Sequence, residues 1–420
     1  MERETLDRNA SEASDMVAPT SDDMDIEMDS GGVTAAIEAG GTDEEGEFSY
    51  SDYDEESMAD SASSIGSSIY QHTFHNGRRY HRFRYITTLS AIRTHILCVR
   101  YGRYPIPNDD IEQNREDMLH AMMLEATNGQ LFFAPIPDNP QRILDLGTGT
   151  GIWAIEMAGK YPSAEVLGLD LSPIQPVWIP ANCRFMVDDI GADTSLQVED
   201  TWENGGDWDF VHLRNMVPIL KNLKPGAWVE LQDVDGSELS IPLCLFWFTV
   251  GHSSLRSQWK MLTSNIEVVH CDDGTLPPDW PILRFTNMMV EAFARFGTKS
   301  HAAVFGGQYL TESGFVNIRH HAIKLPYGTW PRDRTMRLIG LYYRTAAEQF
   351  LPASQYLSLI VGMFNVVPTR NLGAIQLPMM GWQPEEIEAF FARCRDAMRD
   401  PNVHAYGMMH FWSGQKPLSA

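Results

Sequence analysis

Three glycines at alternate positions are the feature of this sequence that is best suited to holding a ligand. Gly147, Gly149 and Gly151 lie in the stretch RILDLGTGTGIWAIEMA, after an apolar run that ends in Asp145. A dinucleotide-binding loop needs the spacing G-x-G-x-x-G, but here Ile152 stands where its third glycine belongs. A loop of the Walker type needs a lysine that this stretch lacks. The glycine loop is therefore a poor match for a loop that cradles phosphates.

A carboxylate beside the loop indicates a different ligand. Asp145 would repel a pyrophosphate, but it would attract a ligand that carries an ammonium group and a sulfonium. S-adenosylmethionine is such a ligand. Glycine allows the loop backbone to come close to it, because no Cβ stands in the way. The sequence therefore predicts that Asp145, the three glycines and the intervening Thr148 bind S-adenosylmethionine.

Further carboxylates follow at the ends of the next two strand-like runs. Asp170, followed by Leu171, ends VLGLDLSP nineteen residues beyond Gly151, where its side chain can accept hydrogen bonds from both ribose hydroxyls. Asp188 and Asp189 end the run FMVDDIG. Ligands of open α/β sheets bind at the carboxyl ends of the strands. The loop and these carboxylates, in this order, therefore predict one cofactor site.

The elements that must position these residues alternate between strand-like and helix-like runs. RILDL, AEVLGLDL, CRFMVDD, WDFVHLR and AWVELQD are predicted strands. Such alternation is typical of an α/β fold, a mostly parallel sheet with helices on both faces. The runs KLPYGTWP and HAYGMMHFW are predicted to cover this sheet, with an aromatic acceptor pocket as the alternative.

Residues 71–140 are predicted to form a helical lead-in or cap. In DDIEQNREDMLHAMMLEATNG the apolar residues recur at helical spacing, with Asp109 or Asp110 as the N-cap and Gly129 as the stop. Residues 1–70 are rich in Ser, Asp, Glu and Gly and poor in apolar residues, which predicts a disordered acidic tail.

Composition excludes several classes of protein. Of the net charge of −24, most lies in residues 1–60, which hold 20 acidic and 2 basic residues, and the rest shows no basic stripe for nucleic acid. The N-terminus does not resemble a secretory signal, and IPLCLFWFTVG is too short to span a bilayer. Five scattered cysteines predict neither a zinc site nor a disulfide framework. We expect an intracellular protein of the nucleus or cytoplasm, with no metal, membrane or direct nucleic-acid partner.

The motif D-x-G-x-G-x-G resembles the first motif of class I methyltransferases. HNGRRYHRFR, YGRYPIPNDD, LFFAPI, NLKPGAWVELQD and GWQPEEIEAFFARCRDAMRDPNVHAYGMMHFWSGQKP further resemble the LaeA-type methyltransferases of filamentous fungi over most of residues 70–420. The resemblance implies a Rossmann-like fold with a seven-stranded sheet, and a methyltransferase domain at 141–420. It also implies a role in secondary metabolism, as a cluster enzyme or a regulator.

The resemblance also implies roles for single residues. Asp189, or else Asp188, would accept a hydrogen bond from the adenine amino group, and Ile190 would pack beside the ring. In the segment HLRNM, the cofactor pocket would be lined by His212, Arg214 and Asn215.

The sequence gives weaker evidence for a catalytic residue than for the cofactor site. Methyl transfer from a sulfonium is an in-line displacement, so a general base is needed only when the acceptor arrives protonated. His212, Tyr101 and Tyr104 are the candidates, and a core histidine is the alternative for His212. The acceptor would be a small molecule or a protein. The second functional class is a regulatory protein that keeps the cofactor-binding fold, catalyses little and uses the acidic tail as a partner contact.

Three segments depart from the family pattern. YITTLSAIRTHILCVR follows Tyr85, a second unusual stretch runs from about Ser240 to His270, and the link around Val217 between two predicted strands is short. A parallel crossover usually takes a dozen or more residues, so this link can hold a turn or two of helix at most. We interpret the two insertions as retained intron sequence and the short link as a lost exon piece, with a true structural divergence as the alternative.

Overall fold

A computed structural model describes the sheet, the helices on it and parts of the N-terminal region. The described residues are 27–28, 36–39, 72–75, 77–81, 106–188, 207–214, 223–235, 268–296, 303–363, 382 and 384–418. The three departures named above lie outside these ranges, except for residues 268–270 at the end of the second one.

The described chain contains ten strands and six helices. The strands are β1 (Glu27–Met28), β2 (His72–His75), β3 (Arg78–His81), β4 (Arg142–Leu146), β5 (Glu165–Asp170), β6 (Cys183–Val187), β7 (Trp208–Arg214), β8 (Leu223–Val234), β9 (Val316–Pro326) and β10 (Tyr406–Gln415). The helices are α1 (Asp110–Ala126), α2 (Ile152–Lys160), α3 (Pro281–Phe296), α4 (Gly306–Glu312), α5 (Arg334–Met363) and α6 (Pro384–Arg399). Within the described ranges, no helix is long and apolar enough to cross a bilayer.

Eight strands form one sheet in the order β1, β9, β10, β8, β7, β4, β5, β6. The five strands predicted from the sequence, β4 to β8, are confirmed, and each pairs in parallel with its neighbour among them. Only β10 runs antiparallel to its neighbours β8 and β9. The predicted α/β fold with a mostly parallel seven-stranded sheet is confirmed, and β1 adds two residues at the β9 edge.

One predicted cover segment is part of the sheet. HAYGMMHFW forms most of β10, between β8 and β9, so the prediction that this run covers the sheet was wrong. Its apolar residues are continuous because both faces of this strand are buried. The run KLPYGTWP begins with the last residues of β9. Its Tyr327 and Trp330, which follow the strand, are buried.

The N-terminal third contains strands that the sequence did not predict. The lead-in holds the hairpin β2–β3 as well as its helix. Within the acidic segment, Glu27 and Met28 pair with Arg319 and His320 of β9, and the Arg332 N–H donates to the Glu38 carbonyl. The prediction of disorder is therefore wrong for these few residues. An edge strand exposes unpaired backbone groups, and β1 satisfies part of this edge.

Successive side chains of a strand point to opposite faces, so the hydrophobic core is divided between the two faces of the sheet. Ile143 and Phe210 face a core shared with α2, α3, α5 and α6, whereas Leu144 and Val211 face a second core that includes Leu310 of α4. Residues on neighbouring strands that share a face stack into one layer. The lead-in helix α1 lies on the first face, against α2 and α5.

Helix α1 begins and ends where its local sequence predicts. The Asp109 carboxylate accepts a hydrogen bond from the Glu112 N–H at the helix start and forms an ion pair with Arg78 of the hairpin. At the other end, Asn128 and Gly129 have positive φ, and the Gly129 N–H donates to Leu124. A left-handed residue after the last turn stops a helix.

Two helical glycines provide a matched test of how α5 packs. A Cβ on Gly340 would overlap the carbonyl oxygen of Gly328, while a Cβ on Gly159 of α2 meets nothing. We expect Gly340→Ala to lower the free energy of unfolding by about 1–3 kcal/mol through this clash. Gly159→Ala should raise it by about 0.5 kcal/mol through helix propensity. Urea denaturation measures both, and equal shifts for the two variants would contradict this packing.

Candidate active site

The glycine loop joins β4 to α2 at the carboxyl edge of the sheet. Gly147, Gly149 and Gly151 have φ of 72°, 56° and 82°, a left-handed conformation that favours glycine. Two of them are also held by close neighbours. A Cβ on Gly151 would overlap the ring of Phe185, and one on Gly149 would lie 2.6 Å from the carboxylate of Glu116. The left-handed backbone and these close neighbours explain why glycine occupies these positions.

Asp145 is buried and engaged by the protein itself. Its Oδ1 accepts a hydrogen bond of 2.7 Å from His212 Nδ1, and its Oδ2 accepts one of 2.6 Å from Thr148 Oγ1. The His212 ring stacks on Trp153 at 3.7 Å between centroids. Burial lowers the pKa of His212, and the Asp145 carboxylate acts in the opposite direction. The carboxylate thus fixes the loop and the imidazole in place.

Asp170 ends β5 on the other side of the loop. Its Oδ2 accepts from the Gly149 N–H at 2.9 Å, and its Oδ1 accepts from the Ser172 N–H at 2.8 Å. Burial raises the pKa of this carboxyl, and these hydrogen bonds oppose the shift. The Leu171 N–H is a further donor to this carboxyl. Because a carboxylate has about four acceptor positions, part of its capacity remains for a ligand, and a hydroxyl could donate to it.

A buried polar chain leads from β7 through α1 to α2. Arg214 Nη1 donates to His120 Nδ1 at 3.2 Å, since a guanidinium can only donate. The other ring nitrogen, Nε2, then donates to Glu156 Oε2 at 3.0 Å. Burial and the Arg214 charge lower the pKa of His120 to about 3, which keeps the ring neutral. Burial also lowers the pKa of Arg214, to about 10.

Helix α1 also approaches the loop directly. The Thr150 hydroxyl donates to the Asp117 carboxylate at 2.6 Å, and burial raises the pKa of Asp117. Glu116 lies against Gly149. The sequence analysis did not identify Glu116 or Asp117. Their signal was the recurrence of Glu112, Glu116 and His120 at intervals of four, which puts polar groups on one helix face.

The remaining predicted residues divide into two groups. Leu171 and Asp188 are half-buried, and Asp188 follows the end of β6 with its N–H donating to the Asp170 carbonyl. The structure therefore brings the glycine loop, Asp170, Asp188, His212 and Arg214 to one edge of the sheet. The predicted residues outside the described ranges are Tyr101, Tyr104, Asp189, Ile190 and Asn215.

A second buried carboxylate anchors the segment between α1 and β4. Glu230 of β8 accepts hydrogen bonds from the N–H groups of Phe133 and Ala134, at 2.8 and 2.5 Å, and from Gln232 Nε2. Gln232 in turn accepts from Arg214. Burial raises the pKa of Glu230 to about 7. Sequence analysis missed this pair, whose signal was two polar residues inside a buried strand.

Comparisons with known proteins agree with this geometry. A family model described as a methyltransferase domain matches residues 118–263. Methyltransferase pytC of Aspergillus terreus is 30% identical over 85% of this chain and 92% of its own length. Secondary metabolism regulator LAE1 of Cochliobolus heterostrophus is 32% identical over 81% and 94%. Protein-methionine methyltransferase laeA of Emericella nidulans is 29% identical over 82% and 76%.

The raised pKa of Glu230 makes stability depend on pH. Between pH 4.5 and 7 the folded chain holds a proton on Glu230 that the unfolded chain releases, so this group's contribution to stability falls as pH rises. Relative to Glu230→Gln, we expect the wild-type free energy of unfolding to fall by up to about 1.4 kcal/mol per pH unit across this window. Urea denaturation at pH 5, 6, 7 and 8 measures the difference.

The control is Glu165→Gln, at a half-exposed carboxylate that pairs with Arg184 at the start of β5. This variant should track the wild type across the same pH range. If Glu230→Gln also tracked the wild type, Glu230 would not bind a proton in the folded state at these pH values.

Proposed function

Because the chain belongs to the LaeA-type family of fungal S-adenosylmethionine-dependent methyltransferases, we propose that its glycine loop, Asp170 and the Asp188–Asp189 pair hold this cofactor. The observation that carries the assignment is the joint position of the loop and Asp170. One backbone N–H, that of Gly149, links them, and the carboxylate keeps acceptor capacity beyond its backbone donors. Asp170 would accept hydrogen bonds from both ribose hydroxyls there.

The residues present fit the cofactor in charge as well as in shape. S-adenosylmethionine carries an ammonium group and a sulfonium, and the edge around Gly149 collects the carboxylates of Asp145, Asp170, Glu116 and Asp117. Asp145 would act on the cofactor indirectly, since its oxygens already accept hydrogen bonds from His212 and Thr148. Its role would be to hold the loop backbone in the shape that the cofactor needs.

The bound cofactor supplies an electrophilic methyl group on its sulfonium. The chain's task is to align an acceptor with this group and to keep water away. Cofactor residues lie at the ends of β4, β5 and β6, so the acceptor would enter beside β7 and β8, on the other side of the topological switch between β4 and β7. Transfer of this methyl group to the acceptor atom would leave the cofactor as a thioether, and an acceptor that arrives protonated would also need a base for its proton.

We infer that the acceptor is a small metabolite or a protein side chain. The name of the Emericella nidulans laeA protein, a protein-methionine methyltransferase, supports the second class. His212 remains a candidate for orienting the acceptor through its neighbours, because its ring is buried and fixed between Asp145 and Trp153. In the domain division that we propose, residues 71–140 cap the methyltransferase domain at 141–420.

A regulatory role is the second candidate function. The relative LAE1 is named as a regulator of secondary metabolism. In this chain the acidic N-terminal segment reaches the β9 edge of the sheet through β1, far along the sheet from the glycine loop. We propose that a regulatory protein partner would use the acidic segment, while the cofactor site serves catalysis or senses the cofactor.

Two carboxylates at opposite edges of the sheet test the proposed function. Asp170→Asn removes the charge at the carboxyl edge, and we expect affinity for S-adenosylmethionine to fall about 10- to 150-fold, the effect of losing about 1.5–3 kcal/mol of charged hydrogen bonding. Asp209→Asn is the matched control. Asp209 accepts from the N–H groups of Gln141 and Arg142 at the amino edge, so its loss should leave affinity unchanged.

Isothermal titration calorimetry of the folded variants measures both affinities. Equal affinity of Asp170→Asn and the wild type would contradict the assignment of Asp170. No binding by folded wild-type protein would contradict the cofactor site as a whole and favour the purely regulatory function.

A further inference from the structure

Helix α1 brings a third carboxylate, that of Glu116, to the mouth of the glycine loop. A Cβ added to Gly149 would lie 2.6 Å from Glu116 Oε2, so the carboxylate rests against the loop backbone. Protein atoms surround Glu116, yet its side chain keeps partial contact with solvent. A side chain with both properties lines a crevice. The established motifs of the site do not include this residue, which comes from the lead-in.

The groups that face Glu116 are mostly acidic. Glu112 and Asp117 on α1 and Asp170 at the end of β5 disfavour its charged form, and Arg115 on α1 favours it. Arg214 of β7 is also close enough to interact with it. Burial is the largest effect, and together these influences raise the pKa of Glu116 to about 8. At neutral pH the carboxyl therefore holds a proton in the protein alone.

We propose that Glu116 contacts S-adenosylmethionine and loses its proton when the positively charged cofactor binds beside Gly149 and Asp170. This inference rests on the proposed function, because it requires the cofactor to bind at the glycine loop. The proton passes to solvent, and the carboxylate that remains pairs with the charge of the cofactor. Glu116 is thus a further binding residue, supplied by the cap to the methyltransferase domain.

Proton release makes cofactor affinity depend on pH. An opposite charge within about 4–6 Å lowers the pKa of a carboxyl by about 1–3 units. Between the lowered value and 8, binding is coupled to the loss of up to one proton, so affinity should rise by up to about tenfold per pH unit. Above pH 8 the carboxyl is already charged and the dependence should end. Cofactor binding would therefore tighten as pH rises through the neutral range.

The experiment is isothermal titration calorimetry with S-adenosylmethionine at pH 7, in phosphate and in Tris, whose different ionisation enthalpies reveal the protons released. Wild type is compared with Glu116→Gln, which resembles the protonated side chain. The matched control is Glu125→Gln, at an exposed carboxylate near the end of α1. Subtracting the proton release of Glu116→Gln from that of the wild type cancels any titration of the cofactor's own amino group. Circular dichroism verifies that each variant is folded.

We expect the wild type to release about 0.4–0.9 proton more than Glu116→Gln. About nine tenths of a carboxyl of pKa 8 is protonated at pH 7, and a fall of about 1–3 units on binding leaves at most about half of it protonated. Glu125→Gln should release as many protons as the wild type. Equal release from wild type and Glu116→Gln would overturn the proposal, and so would loss of the release in Glu125→Gln.

If Glu116→Gln binds too weakly for calorimetry, the pH dependence of affinity decides. Between pH 6.5 and 7.5, wild type and Glu125→Gln should each gain about 2.5- to 8-fold in affinity. An affinity that does not change with pH would overturn the role of Glu116 while leaving the cofactor site intact. Absence of binding by folded wild type at every pH would instead contradict the proposed function.

Discussion

The hydrogen bonds that satisfy one buried carboxylate, Asp145, hold the site together. A buried charge is costly unless hydrogen bonds compensate it. Here the compensation comes from His212 on the neighbouring strand β7 and from Thr148 in the glycine loop. Both donors must therefore stay at Asp145, and the loop backbone is fixed relative to two strands. Trp153 completes the arrangement, because its ring stacks on the imidazole from the first turn of α2.

Burial affects the carboxyl groups around the loop in the same direction. Burial raises the pKa values of Asp170, Glu116 and Asp117, so each charged form is less favourable in the protein alone than in water. A cationic ligand acts in the opposite direction, since an opposite charge nearby stabilises a carboxylate. The charges at this edge therefore suit a positively charged ligand.

Local sequence patterns predicted much of the fold and part of the candidate site. Strands β4 to β8 were predicted because each is a short apolar run with its own boundaries, and Asp145 and Asp170 were found because they end two of those runs. The place of β10 was not predictable in this way. It depends on pairing with β8 and β9, which lie far away in sequence.

The site residues contributed by α1 were missed for a related reason. Charged residues on an amphipathic helix ordinarily face solvent. In α1 the face with Glu112, Glu116 and His120 turns towards the sheet instead, because Arg214, Glu156 and the loop supply partners there. The role of Asp145 also differs from the sequence-based interpretation, since its oxygens bind the protein. Such facts emerge only when strands and helix are placed together.

The central claim is that α1, the glycine loop and the end of β5 form one site for S-adenosylmethionine. Hydrogen–deuterium exchange of the full chain, with and without the cofactor, tests this claim most directly. The account predicts slower exchange in residues 110–120, 147–151 and 168–172, with little change at 138–142 on the amino edge. Unchanged exchange at the loop, or slowing confined to other described parts of the chain, would contradict it.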